Sequence, residues 1–238
     1  MTRERLYQKA RYYDVLYHEK DYEGEVDFIL EKYREKRDTD SEKVLVLGCG
    51  TGNHTKHLKE RGFDVTALDR YQGMLDRARE KSDAEFRQTD LPEIEAEGSY
   101  GLVMMPFTVI NHISEEEFRQ TLENVKDLME EGGVLIFDNG GFWLDQDESA
   151  SRPFLETVET ENGDVARLTQ LHEKEEGLRF ESVVFTPDGQ FVDSHDLTTY
   201  TTDEVLSILE EKGFSHETSE NGYRTGTSKD HGTVFIAY

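Results

Sequence analysis

The run Val44-Leu45-Val46-Leu47-Gly48-Cys49-Gly50-Thr51-Gly52-Asn53, followed by Val65-Thr66-Ala67-Leu68-Asp69, constrains this chain more than any other feature. An apolar β-type run enters a loop with glycine at every second position. A second apolar run ends on an acid 17 residues after the last of those glycines. Glycine reaches positive φ and has no Cβ, so backbone N–H groups can approach a ligand closely. An acid at the tip of the next strand can accept two hydrogen bonds from a ribose diol. The spacing predicts a nucleoside-containing ligand across the carboxyl ends of two parallel strands.

A dinucleotide site would read G-x-G-x-x-G, with a helix N-terminus facing a pyrophosphate. Here Asn53 stands where that third glycine belongs, and the glycine comes one residue early, as Gly52. The stretch Leu47-Gly48-Cys49-Gly50-Thr51-Gly52-Asn53-His54 resembles motif I of the class I S-adenosylmethionine (SAM) methyltransferases, small-molecule members above all. The resemblance implies an α/β, Rossmann-like, doubly wound and mostly parallel seven-stranded sheet with an antiparallel edge strand. It implies SAM as cofactor, contacted by Gly48, Cys49, Gly50, Gly52, Asn53 and His54, and by Asp69 with Arg70. Met74 would lie against the adenine face, and Thr89-Asp90-Leu91 resembles the motif whose acid receives the adenine amino group. Gly101 to Met105 resembles the fourth strand, bringing Met105 and Phe107 to the cofactor, and Gly132 to Asp138 resembles the fifth. Tyr13-Asp14-Val15-Leu16-Tyr17, with Lys20-Asp21-Tyr22 and Glu25, resembles the opening of small-molecule N-methyltransferases, including those acting on amino sugars. It implies a helical lid over residues 1–36, with Tyr13, Tyr17 and Tyr22 near the methionine moiety. The likeness is good over roughly residues 12 to 140 and only in outline beyond.

The organisation expected is a single domain, in which the resemblance implies a SAM-binding core over 43–140 and periodicity fills in the elements. Val26, Ile29, Leu30 and Tyr33 predict a helix before the first strand, and residues 54–61 predict another, stopped by Gly62. Tyr71, Met74, Leu75 and Ala78 share one helical face. Ser114 with Glu117, and Thr201 with Glu204, read as capping boxes. Between about residues 150 and 200 the pattern changes. Asn162-Gly163, Glu176-Gly177 and Asp188-Gly189 punctuate runs rich in Val, Leu, Phe and Thr, which predicts three or four antiparallel strands. This insertion is read as a cover for the acceptor side, with a dimer interface or a simple extension of the sheet as alternatives. Residues 201–238 would close the fold with a helix and the strand Val234-Phe235-Ile236.

The 238 residues carry 27 Lys and Arg against 52 Asp and Glu, a formal net charge of −25. Such a surface repels the phosphates of a nucleic acid and of an anionic membrane, so neither is an expected partner. The acidic coat predicts a halophilic protein whose charges are screened by concentrated salt. One cysteine excludes an intrachain disulfide and a cysteine-type zinc cluster. With no apolar run of about 18 residues and no signal-peptide core, the expectation is a soluble, cytoplasmic monomer or homodimer.

Methyl transfer from a sulfonium is an in-line displacement on an already activated donor, so alignment and exclusion of water dominate. An amine acceptor must first be neutral, and a hydroxyl acceptor needs a base or metal. His112 and Asn111, just after the fourth strand, are the candidate base and orienting amide, against the alternative of structural roles at a helix start. His54 either approaches the cofactor carboxylate or sits on the surface. Phe142-Trp143 either wall the acceptor or pack in the core, and Cys49 reads as a small loop residue. Catechol-type relatives hold magnesium with an acid–amide pair like Asp138-Asn139 plus an acid ending strand four. Here that strand ends Met104-Met105-Pro106, so no metal is expected. The leading expectation is methyl transfer to a small-molecule acceptor, an amine favoured. A SAM-binding regulatory module without turnover, and a nicotinamide oxidoreductase, remain as alternatives.

Overall fold

The computed structural model describes residues 5–140, 152–223 and 232–238. Phe142-Trp143 therefore lie outside the described residues. Three helices open the chain: α1 (Arg5–Gln8), α2 (Ala10–Leu16) and α3 (Tyr22–Lys36). Strands and helices then alternate as β1 (Lys43–Leu47), α4 (Asn53–Glu60), β2 (Asp64–Asp69), α5 (Gln72–Arg79), β3 (Glu85–Gln88) and β4 (Tyr100–Met105). A 3₁₀ turn (Val109–His112), α6 (Glu115–Leu128) and β5 (Met129–Asn139) follow. Next come β6 (Phe154–Val158), β7 (Val165–Glu173), β8 (Leu178–Thr186) and β9 (Gly189–Leu197), then α7 (Thr202–Glu211), β10 (His216–Ser219) and β11 (Thr233–Ala237).

One seven-stranded sheet has the order β10-β11-β5-β4-β1-β2-β3. Its β3-β2-β1-β4-β5 portion is parallel, and β11 and β10 close the edge antiparallel. The order reverses beside β1, so a crevice opens at the carboxyl ends of β1 and β4, where such sheets bind ligands. Helices cover both faces, which is why the central strands read as unbroken apolar runs. Val44, Val46, Leu102 and Met104 point to the face carrying α3 and α4. Leu45, Leu47, Val103 and Met105 point to the face carrying α6 and α7. Both expected capping boxes are present, with Ser114 and Thr201 each bonded reciprocally to the glutamate three residues on.

The remaining four strands form a separate antiparallel sheet, β6-β7-β8-β9, rather than lengthening the first. Its inner face meets α1 and α2: Leu6, Tyr12 and Leu16 bury themselves against Val165, Val184 and Phe191. The N-terminal segment expected to act as one unit is thereby divided. Helices α1 and α2 belong to this third cluster, whereas Val26, Ile29, Leu30 and Tyr33 of α3 are core residues under the main sheet. On the outer face Leu155, Leu168, Val183 and Val192 fall in one cross-strand row by register, and Leu155 is 64% exposed. Among the described residues no helix is long and apolar enough to cross a membrane.

Candidate functional site

The glycine loop after β1 has positive φ at Gly48, Gly50 and Gly52, and the first and last of these have different duties. At Gly48 (φ 68°) a Cβ would come within 2.5 Å of Val109, so only glycine lets the 3₁₀ turn pack against the loop. At Gly52 (φ 77°) a Cβ would meet that of Ala78 at 2.7 Å, so this glycine seats α4 on α5. The amide of Gly50 donates to Asp69 Oδ2 at 2.8 Å, and the amide of Tyr71 donates to Asp69 Oδ1 at 2.9 Å. A carboxylate has about four lone-pair sites, so acceptor capacity is left over on Asp69. Burial, opposed by those two amides and by Arg70, pushes the Asp69 carboxyl up to about 6.

In front of the loop lies a cavity of ≈ 560 Å³, within the size range of small-molecule sites. Of the residues singled out from sequence, Tyr13, Tyr22, Gly48, Cys49, Gly50, Asn53, His54, Asp69, Arg70, Met74, Thr89, Asp90, Leu91, Phe107 and His112 all line it. Three do not. Gly52 is taken up with α5. Met105 is fully buried beneath α6 and α7, because neighbouring strand residues face opposite sides and only its neighbours Pro106 and Phe107 reach the cavity. Asn111 is fully buried as well. Its amide nitrogen donates to Asn139 Oδ1 at 2.9 Å and to the Thr198 carbonyl at 2.8 Å, and its oxygen accepts from Gly140 N at 3.1 Å. Asn111 thus ties the end of β5 to the segment after β9, and its full burial outside the cavity lining keeps it from an acceptor there.

His112 lines the cavity, but burial, then His195 and Arg70, drive its pKa down to about 3. A ring that loses its proton so readily is a weak base at neutral pH. Asp138 is committed elsewhere too. Its two oxygens accept the amides of Phe107 and Thr108 at 2.5 and 2.6 Å, and Tyr223 donates its hydroxyl to one of them. Phe107 (φ 63°) and Thr108 (φ 64°) are consecutive left-handed residues, a costly conformation for side chains with a Cβ. Asp138 holds that kink and presents the Phe107 ring to the cavity. His54 is buried rather than on the surface, with Nε2 2.6 Å from Glu25 Oε2, while Lys20 pairs with the other oxygen of Glu25. Burial raises the thiol pKa of Cys49, which keeps it protonated.

Several groups in and beside the cavity were given no role by the sequence. Asp14 accepts from Thr51 Oγ1 at 2.6 Å, Lys81 Nζ at 2.8 Å and Arg77 Nε at 3.0 Å, which bolts α2 to the glycine loop and to α5. Burial alone would raise the Asp14 carboxyl, but Lys81, Thr51 and Arg77 together hold it below its usual range. From the four-stranded sheet come Phe154, Glu156, Arg167, Phe180, Asp193 and His195. Arg167 is paired with Glu156 Oε2 and donates to Tyr17 Oη at 3.0 Å. Apart from Arg167–Glu156, which are paired across the β6–β7 hairpin, these contacts join residues far apart in sequence, which no local pattern encodes. Among the described residues no group of three or more His, Cys, Asp or Glu is arranged to hold a metal ion.

Comparison with known proteins adds to this geometry. Residues 44–133 match the family described as methyltransferase domain. A Geobacillus sp. (strain WCH70) protein whose name calls it a methyltransferase is 29% identical over 87% of each chain. The Streptomyces venezuelae dTDP-3-amino-3,4,6-trideoxy-α-D-glucopyranose N,N-dimethyltransferase is 24% identical over 90% of this chain and 92% of its own. Among solved structures, Streptomyces venezuelae DesVI superposes with a TM-score of 0.81 at 24% identity, covering 94% of this chain and 95% of that one.

Proposed function

This chain is a class I SAM-dependent methyltransferase, and on that premise we propose that its acceptor is a small molecule presenting an amine. SAM supplies a methyl group on a positively charged sulfur, already activated for displacement. The residues fit such a group at the glycine-loop end: Asp69 keeps lone pairs for a ribose diol, and a Cβ at Gly50 would have open space beside it. On this reading Met74 lies against the adenine, Asp90 and Leu91 sit at its polar edge, and Tyr13 and Tyr22 border the methionine part.

The observation that carries the acceptor class is the composition of the opposite end. Tyr7, Tyr17, Phe107, Phe154 and Phe180 line it together with the carboxylates of Glu156 and Asp193. Ring faces and the buried Asp193 carboxylate both favour an alkylammonium group over a neutral hydroxyl, whereas Glu156 is already paired with Arg167. The full-length likeness to an amino-sugar N,N-dimethyltransferase supports the same choice. Aligning donor and acceptor is worth on the order of 7–11 kcal/mol of barrier, and the antiparallel sheet, with α1 and α2 packed on it, supplies that enclosure.

The test is methyl transfer from SAM to matched panels of amino and hydroxy compounds, amino sugars and sugars included, with products identified by mass spectrometry. N-methylated product from the amino set alone is the expected result. Methylation confined to oxygen would overturn the acceptor class, and calorimetry showing tight binding of NAD but not SAM would overturn the cofactor.

A further inference from the structure

The wall made by the four-stranded sheet contains a pair of side chains that holding the cofactor does not require. Asp193 and His195 lie two residues apart on β9, hence on one face of the strand. Asp193 is fully buried, His195 is 7% exposed, and both line the cavity. Asp193 Oδ1 accepts the Leu6 amide at 2.8 Å, so one oxygen is spent on α1. Its Oδ2 has no hydrogen-bond partner, and neither has His195 Nδ1; the two atoms stand 3.6 Å apart. Burying polar atoms unpaired is unfavourable, so their approach invites a functional account. The imidazole is fixed in orientation. Phe180 stacks on it at 4.9 Å and 16°, and Tyr7 and His112 flank it at 5.7 and 5.1 Å.

A carboxylate beside one ring nitrogen sets the tautomer and stabilises the imidazolium, leaving the other nitrogen to exchange protons. His112 lacks that advantage, as its low proton affinity shows. We propose that His195, positioned by Asp193, takes the proton from the ammonium form of the amine acceptor before methyl transfer. The proposal rests on the amine reading above. One N–H bond breaks and its proton goes to the ring. The freed lone pair forms the N–C bond while the S–C electron pair returns to sulfur, giving an N-methylammonium product and S-adenosylhomocysteine. The imidazolium then releases its proton to solvent. Because Asp193 also holds Leu6, the pair is complete only with α1 docked. The groups facing it are Tyr7 from α1, His112 from the 3₁₀ turn, and Arg167 with Glu156 from β7 and β6, Arg167 lying over Phe180 at 5.7 Å.

The experiment uses the full chain with His195→Gln, Asp193→Asn and Asp193→Glu. SAM affinity by calorimetry should stay within about twofold of the parent, which also reports folding. With a primary-amine panel (glucosamine, 3-amino-3-deoxyglucose, glycine, ethanolamine), His195→Gln should lose about 100-fold in kcat/KM. Its acidic limb should move up toward the amine's own ionisation, with activity recovered at high pH, where the amine is already free. Asp193→Asn should lower kcat by a larger factor than it raises KM, and Asp193→Glu should restore part of the kcat. A His195→Gln rate and pH profile equal to the parent would overturn the proposal. Histidine-ring NMR of the SAM-loaded chain, titrated with glucosamine hydrochloride, separates the two readings. If no amine is methylated, the acceptor class fails. His195 signals that move on titration then retain the pair as an ammonium site, and unmoved signals overturn it.

Discussion

Asp69 is held by two backbone amides and yet kept from easy ionisation by its burial, two opposed effects meeting on one carboxyl. A ribose diol donating to it favours the ionised form, so SAM affinity should rise with pH through about 6 and level off above. Without ligand the sign reverses for stability. The folded carboxyl holds its proton more tightly than an unfolded one with a pKa near 4, so its contribution falls as pH rises from about 4 to about 6. Calorimetry at pH 5 and pH 7.5 checks the first statement, and a pH-independent affinity would contradict it. Asp69→Ala should weaken SAM binding by roughly 1–3 kcal/mol, the range for hydrogen bonds to a charged group. At this scale the sequence was informative where backbone chemistry leaves few options, as at Gly48 and Asp69. It was not at Met105, because a strand buried on both faces carries no polar alternation to say which side chains point where.

At the scale of elements, α2 is attached to the glycine loop through one side chain, Asp14, which gathers Thr51, Arg77 and Lys81. Its removal leaves two cations and a hydroxyl without their shared acceptor. Asp14→Ala should therefore loosen α2 by about 2 kcal/mol, read as faster amide exchange over residues 10–17 and weaker SAM binding. Unchanged exchange there would mean that apolar packing of Leu6, Tyr12 and Leu16 is sufficient. The capping boxes, the strand–helix alternation and the three glycine turns of the insertion were all legible, because each is written within a few residues. Where the insertion goes was not. Its docking on α1 and α2 depends on Val165, Val184 and Phe191 meeting residues more than 140 positions earlier.

For the whole molecule the dominant quantity is the net charge of −25. Many acids are already paired at the surface, for example Arg61 with Glu23 and Asp27, yet the excess of carboxylates remains. Self-repulsion over distances of about 10 Å at 0.1 M salt shrinks to about 3 Å at 1 M. The thermal midpoint should accordingly rise by at least about 5 °C between 0.05 and 2 M KCl, given that 1 kcal/mol moves a domain of this size by about 2–4 °C. A midpoint indifferent to salt would argue against a halophilic protein.

The doubly wound, mostly parallel sheet with its antiparallel edge was legible in sequence alone, because the glycine loop, the acid after β2 and the alternation of elements are local and admit few folds. The end of the cavity proposed for the acceptor was decided only by tertiary structure. Asp193, His195, Arg167 and Glu156 have no spacing that marks them, and they become a site only when a second sheet closes on α1 and α2. Long-range packing of apolar surfaces chooses that arrangement, and no stretch of neighbouring residues contains it.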